Sequence, residues 1–322
     1  MKCPHCDSWK IKENKELTIA EWISVIKQIN QWLGPVPVYV AGGEPLVKKG
    51  IGELLDFISQ QNPLFLMTNG QSGKDIFLPQ VDSGHENLLV SLYSLDSATH
   101  DSIRQTPGSH RKAMECIDEL IKRREKKKGT MKINVAFLVT SRNYREMPEF
   151  VDYFSKRGVH TSFLALRDNP LDNFMSDSVS YDDQWYRNNP LWVDDISGFT
   201  EVINKVIEQK HSGLLVNTYE NILLHYIDYF RSPHSVVEKT CYIPALNFVV
   251  GPAGDVTICY YSGCVGNVLE SSPKEIWKSL RRKNEIKRLK SCTNYCRIHS
   301  SFNFLNWKEK VRGLKSQQSD FY

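Results

Sequence analysis

Between residues 18 and 166 the sequence alternates short β-branched and aliphatic runs with stretches of helical periodicity, and this alternation limits the fold more than any other feature. Thr18 with Glu21 forms a capping-box pair ahead of a helix that reaches about Leu33, where Gly34-Pro35 stops it. Strands are expected over 37–41, 64–68, 88–94, 133–139 and 159–166, with helices over 51–60 and 146–156. Ala113, Cys116, Ile117, Leu120 and Ile121 recur at i, i+3, i+4, i+7 and i+8, so that helix buries one face on a sheet. A repeated βα unit makes parallel strands, and an open or closed α/β barrel is the natural result.

From about residue 167 the pattern gives way to an Asp/Asn-rich stretch with tryptophans that runs to 195, and helices follow near 198–210 and 219–230. Further on, 247–250 and 256–259 flank Gly251-Pro252-Ala253-Gly254-Asp255 as a β-hairpin would. Ser272 with Glu275 is expected to cap one long helix to about 290, ahead of Cys292 and Cys296. The 322-residue length suits one large domain with an appendage, and the change of character places the boundary near 235, giving 1–235 and 236–322.

The net charge of +4 comes largely from basic runs at 122–132 and 274–290, which read as solvated helix faces. Neither run is interleaved with aromatics as nucleic-acid recognition requires, so no nucleic-acid partner is expected. No apolar stretch has signal-peptide or membrane-spanning length, so a soluble cytoplasmic protein with no membrane partner is expected. Eight cysteines in such a chain are better read as metal ligands or reactive thiols than as disulfides, because the cytosol keeps thiols reduced.

Four loops carry chemistry. Cys3-Pro4-His5-Cys6 suits zinc, a redox pair or an iron–sulfur cluster. Ala41-Gly42-Gly43-Glu44-Pro45 follows a strand; its glycines let backbone approach a ligand and its carboxylate accepts hydrogen bonds from an ammonium group, although in isolation a simple strand-to-helix turn is the favoured reading. Met67-Thr68-Asn69-Gly70 is by default a turn. Ser94 and Asp96 end another strand, with Arg104 eight residues past Asp96.

Taken in order, these loops resemble the radical S-adenosylmethionine (SAM) superfamily, which follows successive strands with Cys-x3-Cys-x2-Cys, Gly-Gly-Glu-Pro, Thr-Asn-Gly and a polar ribose motif. The resemblance implies a partial (β/α)6 TIM-like barrel in which Cys3 and Cys6 hold irons of a [4Fe–4S] cluster whose open iron takes SAM. Gly42, Gly43, Glu44 and Pro45 would then meet the methionyl ammonium, Thr68 and Asn69 would belong to the Thr-Asn-Gly loop, Ser94 and Asp96 to the ribose region, and Arg104 to the SAM carboxylate. The family's first cysteine would fall four residues before Cys3, ahead of Met1, and strand 1 with it. A late start codon, a shortened chain and a paralogue without radical chemistry all produce that pattern; the ordered downstream motifs favour the first two.

Twelve residues separate Cys241 from Gly254 and four separate Gly254 from Cys259, while Cys292-x3-Cys296 follows a helix. This resembles the SPASM and Twitch subfamilies, and the shorter Twitch set implies one auxiliary [4Fe–4S] cluster on Cys241, Cys259, Cys292 and Cys296 in a small α+β domain. A tetrahedral zinc site is the alternative for these four, Cys264 remains open as a ligand, and Cys116 reads as a buried small residue. The activity implied is hydrogen abstraction by a 5′-deoxyadenosyl radical, with oxidation or cross-linking of a peptide side chain or a small polar metabolite, and with a flavodoxin or ferredoxin as reductant. The competing class is a non-catalytic metal- or partner-binding protein. No catalytic acid or base stands out; Arg167 and Asp168 are bare candidates, and 167–195 is expected to close over substrate.

Overall fold

The computed structural model describes residues 1–6, 9, 15–71, 86–127, 131–168, 184–259, 261–300 and 303. Most of the stretch expected to close over substrate, 169–183, lies outside them.

Five parallel strands form the main sheet in sequential order: β1 (Val38–Val40), β2 (Leu64–Thr68), β3 (Glu86–Ser91), β4 (Lys132–Val139) and β5 (His160–Ala165). A parallel bridge from Thr161 to Val216 continues the sheet past β5. Between and after them run α1 (Ile19–Leu33), α2 (Ile51–Gln61), α3 (Ser97–Arg104), α4 (Ser109–Lys127), α5 (Met147–Ser155), α6 (Ile196–His211) and α7 (Glu220–Arg231). A sequential parallel order demands crossovers of one hand, which carries the helices to one side and curls the sheet as a partial barrel. In β4 every residue from Ile133 to Val139 is buried, as a parallel strand covered on both faces must be. Phe137 packs edge-on against Phe150 of α5 and Phe163 of β5, at ring separations of 4.7 and 5.5 Å.

The helix starts follow local chemistry. The Thr18 hydroxyl accepts from Glu21 N at 3.2 Å while the Glu21 carboxylate accepts from Thr18 N at 2.7 Å, and Gly34 closes α1 at φ 79°. The expected helix from 272 to 290 is two helices, with α8 (Ile243–Leu246) earlier, then α9 (Pro273–Lys278) and α10 (Leu280–Leu289). Ser279 breaks it, with extended backbone and its hydroxyl accepting from Arg282 N at 3.1 Å, so a second cap is worth more here than continuity. The break turns Arg282 inward, where its guanidinium lies 3.4 Å from the Trp277 ring centroid.

β6 (Val249–Val250), β7 (Asp255–Thr257) and β8 (Gly266–Asn267) form a small antiparallel sheet, with the expected hairpin turn closed by Gly254 at φ 92°. Val256, Ile258, Val265, Val268, Ile276 and Leu289 make a second core that also takes Leu17 and Val25, whereas Ile26 on the same α1 belongs to the main core. Tyr295 and Ile298 return from the C-terminal region into the main core. The two cores are thus stitched at both ends. Among the described residues no helix is long and apolar enough to cross a membrane.

Candidate active site and metal-binding cysteines

In a parallel sheet every strand ends on the same rim, so the loops after β1, β2 and β3 come together without any design of their own. Glu44 binds two of them. Its carboxylate accepts from the Thr68 hydroxyl at 2.8 Å, from Asn69 N at 2.7 Å and from Leu46 N at 3.3 Å. Burial pushes the Glu44 carboxyl above its ordinary range, against the pull of these hydrogen bonds. Pro45 then opens a short 3-10 turn. Gly42 sits at φ 119°, and neither Gly42 nor Gly43 would bring a β-carbon within 4 Å of another group, so exposed backbone lines open space there. The Asn-Gly turn is tight for another reason. At Gly70, φ is 70° and a β-carbon would lie 3.1 Å from Ala113 Cα and 3.4 Å from Cys116 Cβ, which explains the small residues on that face of α4.

Cys3 is buried beside Arg104, whose Nη1 lies 3.8 Å from the Cys3 sulfur and whose Nη2 donates to Ser91 O at 3.4 Å. The Arg104 guanidinium covers the Tyr93 ring at 4.1 Å, and His5 meets the same ring edge-on at 5.4 Å. Burial first and Arg104 second depress His5 to about 3, so its ring is neutral at physiological pH. Cys6 N donates to Cys3 O at 3.1 Å, which turns the Cys3–Cys6 loop toward this rim. A buried Cys3 and a half-buried Cys6 with a guanidinium beside the first suit a thiolate-held anionic cluster.

Ser94 and Asp96 lie past the end of β3, which stops at Ser91 rather than 94. The buried Ser94 hydroxyl donates to Glu146 at 2.6 Å and accepts from Asp96 N at 2.9 Å; Leu95 N reaches the same Glu146 oxygen at 3.3 Å. Asp96 caps α3 through Thr99 N at 2.7 Å. Glu146 is thus a member of this rim that sequence reasoning took only for a helix start. Asn143 fixes the same turn by donating to Tyr93 O at 2.6 Å and Leu138 O at 2.8 Å. Polar residues three apart, Asn143 and Glu146, just past a strand buried from 133 to 139 were the available signal.

The four C-terminal cysteines come from four separate segments: after the turn at 233–236, the end of β7, the end of α10 and the turn at 295–299. They gather. Burial pushes Cys296 strongly upward, and the neighbouring Cys292, Cys259 and Cys241 add to it; Cys259 is raised to about 12 by burial and by Cys292 and Cys241. Cys241 is raised by burial, with Arg297 pulling against it. Binding a metal to such thiols must release protons. Among the described residues no three His, Cys, Asp or Glu side chains converge as a single bound ion requires. Cys264 lies apart, its thiol donating to Gly266 O at 3.2 Å, and Cys116 is 2% exposed in the core. Tyr295, between the last two cysteines, is held by His234 Nε2 at 2.8 Å, and Tyr261 donates to Asp168 at 3.3 Å. Arg167, the other bare candidate, lies close enough to Cys296 to oppose its rise. The cysteine group therefore sits against the β5 end of the barrel.

Residues 1–158 match the family described as the radical SAM superfamily, and residues 241–298 match an iron–sulfur cluster-binding domain, SPASM; together these span about two thirds of the chain. The chain belongs to the radical SAM superfamily. A radical SAM protein uses SAM with a [4Fe–4S] cluster, and the SPASM match adds auxiliary iron–sulfur binding. Among curated radical SAM relatives, a probable GTP 3′,8-cyclase of Sulfolobus acidocaldarius is 24% identical over 161 residues, 49% of each chain. The PqqA peptide cyclase of Bradyrhizobium diazoefficiens is 24% identical over 122 residues, 36% of this chain and 31% of that one. The chain thus spans about half the length, or less, of these relatives. Among solved structures, anSMEcpe with bound AdoMet superposes at a TM-score of 0.61 with 17% identity, covering 92% of this chain and 83% of that one. That likeness extends the radical SAM fold across both cores.

Proposed function

We propose that this chain is a radical SAM enzyme that abstracts hydrogen to oxidise or cross-link a peptide side chain or a small polar metabolite. The observation that carries the reading is the joining of three loops on one rim: Glu44 to Thr68 and Asn69, and Arg104 to Cys3. When bound, SAM and its cluster supply a one-electron cleavage that yields a 5′-deoxyadenosyl radical. The chain's own part is to hold and orient. Cys3 and Cys6 hold irons; the open backbone at Gly42 and Gly43 receives the methionyl ammonium; Arg104 pairs with the carboxylate; Ser94 and Asp96 serve the ribose side. Glu44, with its oxygens committed to Thr68, Asn69 and Leu46, keeps the loops in register and Pro45 starts the turn behind it.

In this reading 1–235 is the radical core and 236–322 the auxiliary domain, with one [4Fe–4S] cluster on Cys241, Cys259, Cys292 and Cys296. The proximity of that cysteine group to the β5 end supports oxidation, because a cluster held there would supply a one-electron acceptor close to the barrel. A flavodoxin- or ferredoxin-like protein supplies the first electron.

The test is anaerobic reconstitution of the chain extended upstream to a cysteine four positions before Cys3. Iron, sulfide and 5′-deoxyadenosine are then measured after reduction with dithionite. Iron loading that falls by about half in Cys6→Ala, as one of two [4Fe–4S] clusters is lost, together with SAM cleavage in the unaltered chain, is expected. Full iron loading with no 5′-deoxyadenosine would sink the proposal.

A further inference from the structure

We propose that α10 and the recess beside it form a docking surface for an acidic electron-carrier protein, which exchanges single electrons with the auxiliary site. This rests on the reading that Cys241, Cys259, Cys292 and Cys296 hold a cluster.

A recess of about 400 Å³ opens at the end of α10, with Cys241, Cys292, Arg297, Lys239 and Lys290 among its walls. Two of the four cysteines therefore face a solvent-connected space rather than the barrel. Arg297, buried among backbone carbonyls of Val237, Lys239 and Cys292, gives that space a fixed positive wall.

Helical spacing leads a stripe of side chains toward the same recess. Leu280, Lys283, Lys287 and Lys290 fall at i, i+3, i+7 and i+10, all exposed, with Leu280 at 71%. Among the described residues none of Lys239, Lys283, Lys287 and Lys290 forms an ion pair. The nearby acids do little to cancel them. Glu285 is taken by Arg288 at 2.6 Å and by Gly263 N at 2.8 Å, which leaves Glu238 at the recess.

The other basic run behaves differently. On α4, Arg111 pairs with Glu115 at 2.8 Å and Arg123 with Glu119 at 3.6 Å, while Arg124 is bonded to the 157–158 carbonyls. Lys122 and Lys126 on that face are exposed and, among the described residues, form no ion pair either, but neither borders the cysteine recess. What sets the α10 face apart is that it carries an apolar anchor in Leu280 beside its lysines and ends on the recess walled by Cys241 and Cys292, a combination that fits a protein with an acidic rim around its own redox centre. At this surface no bond is made or broken: one centre loses the electron that the other gains.

The probe is a small acidic flavodoxin, titrated onto the reconstituted protein by calorimetry at low and at 0.5 M salt. The triple reversal K283E/K287E/K290E is expected to weaken binding at least tenfold at low salt, and salt is expected to weaken the unaltered protein similarly. The reversal K122E/K126E on α4 is the control and is expected to leave affinity within twofold. Iron content and dithionite-driven 5′-deoxyadenosine yield are measured in parallel, and both stay unchanged in either variant. If iron loads and cleavage runs but both reversals bind flavodoxin equally, the docking surface is wrong while the enzyme reading stands. If the auxiliary cysteines hold no iron, the reading beneath it fails instead. Salt-sensitive binding of a 20-mer RNA that is lost in the α10 variant, without flavodoxin binding, also overturns the proposal.

Discussion

Glu44 joins the loops after β1 and β2 through one carboxylate, and Glu44→Ala tests how much of the rim depends on it. The substitution removes two short bonds, 2.8 Å from the Thr68 hydroxyl and 2.7 Å from Asn69 N, and a longer one at 3.3 Å from Leu46 N. Hydrogen bonds to a charged acceptor contribute roughly 1.5–3 kcal/mol each, so the two short ones sum to about 3–6 kcal/mol. Against this stands the cost of burying the carboxylate, visible in its raised pKa, which Ala does not bear. A net local loss of about 2 kcal/mol follows, equal to a roughly 30-fold faster opening equilibrium. Native-state hydrogen exchange reads it directly at the Asn69 amide, with the β4 amides as internal reference. Glu44→Gln, which keeps one acceptor oxygen, is expected to lose about half as much free energy. Exchange at Asn69 that changes less than threefold in Glu44→Ala would refute the argument that this carboxylate holds the loops.

Gly70→Ala forces a left-handed φ of 70° and a contact of 3.1 Å with the α4 backbone, so a loss of about 2–4 kcal/mol is expected in urea denaturation, whereas Gly43→Ala, in open space, stays within ~0.5 kcal/mol. His100 accepts from Tyr93 N at 3.0 Å and is held down to about 3, chiefly by burial and then by Arg104. Its folded pKa lies below the unfolded value, so its contribution is complete above pH 6.5 and declines as pH falls toward about 3. His100→Asn keeps an acceptor and should flatten the urea midpoint between pH 6.5 and 4; an unchanged slope disproves the assignment. Glu44 is raised, so its part runs the other way, fullest below pH 4.5 and lost as pH rises through the folded value, and Glu44→Gln removes that dependence. Cys296→Ala is expected to lose the auxiliary iron and Cys264→Ala to keep it, by iron assay after reconstitution; equal loss in both would put Cys264 among the ligands.

Legible in the sequence were the features with local causes. The capping boxes at Thr18 and Ser272, the stop at Gly34 and the apolar face of α4 each involve residues within a turn or two of one another, and all stand in the structure. The break at Ser279 was missed because serine is compatible with both a helix and a cap, and only the inward pull of Arg282 onto Trp277 decides between them. The short length of β1 was likewise a boundary matter, set by its pairing with β2.

The sequence by itself determined the parallel α/β class, the order of the rim motifs and the cysteine spacing, since periodicity, turn chemistry and motif order are properties of neighbours along the chain. Tertiary structure alone decided that Glu146 holds Ser94 across 52 positions, that Arg104 reaches Cys3 across 101, and that α1 serves two cores. It also decided which cysteines assemble, bringing four together and leaving Cys264 and Cys116 aside. These are encounters between segments whose separation in space depends on how the sheet curls and where each crossover returns, and no local spacing encodes that path.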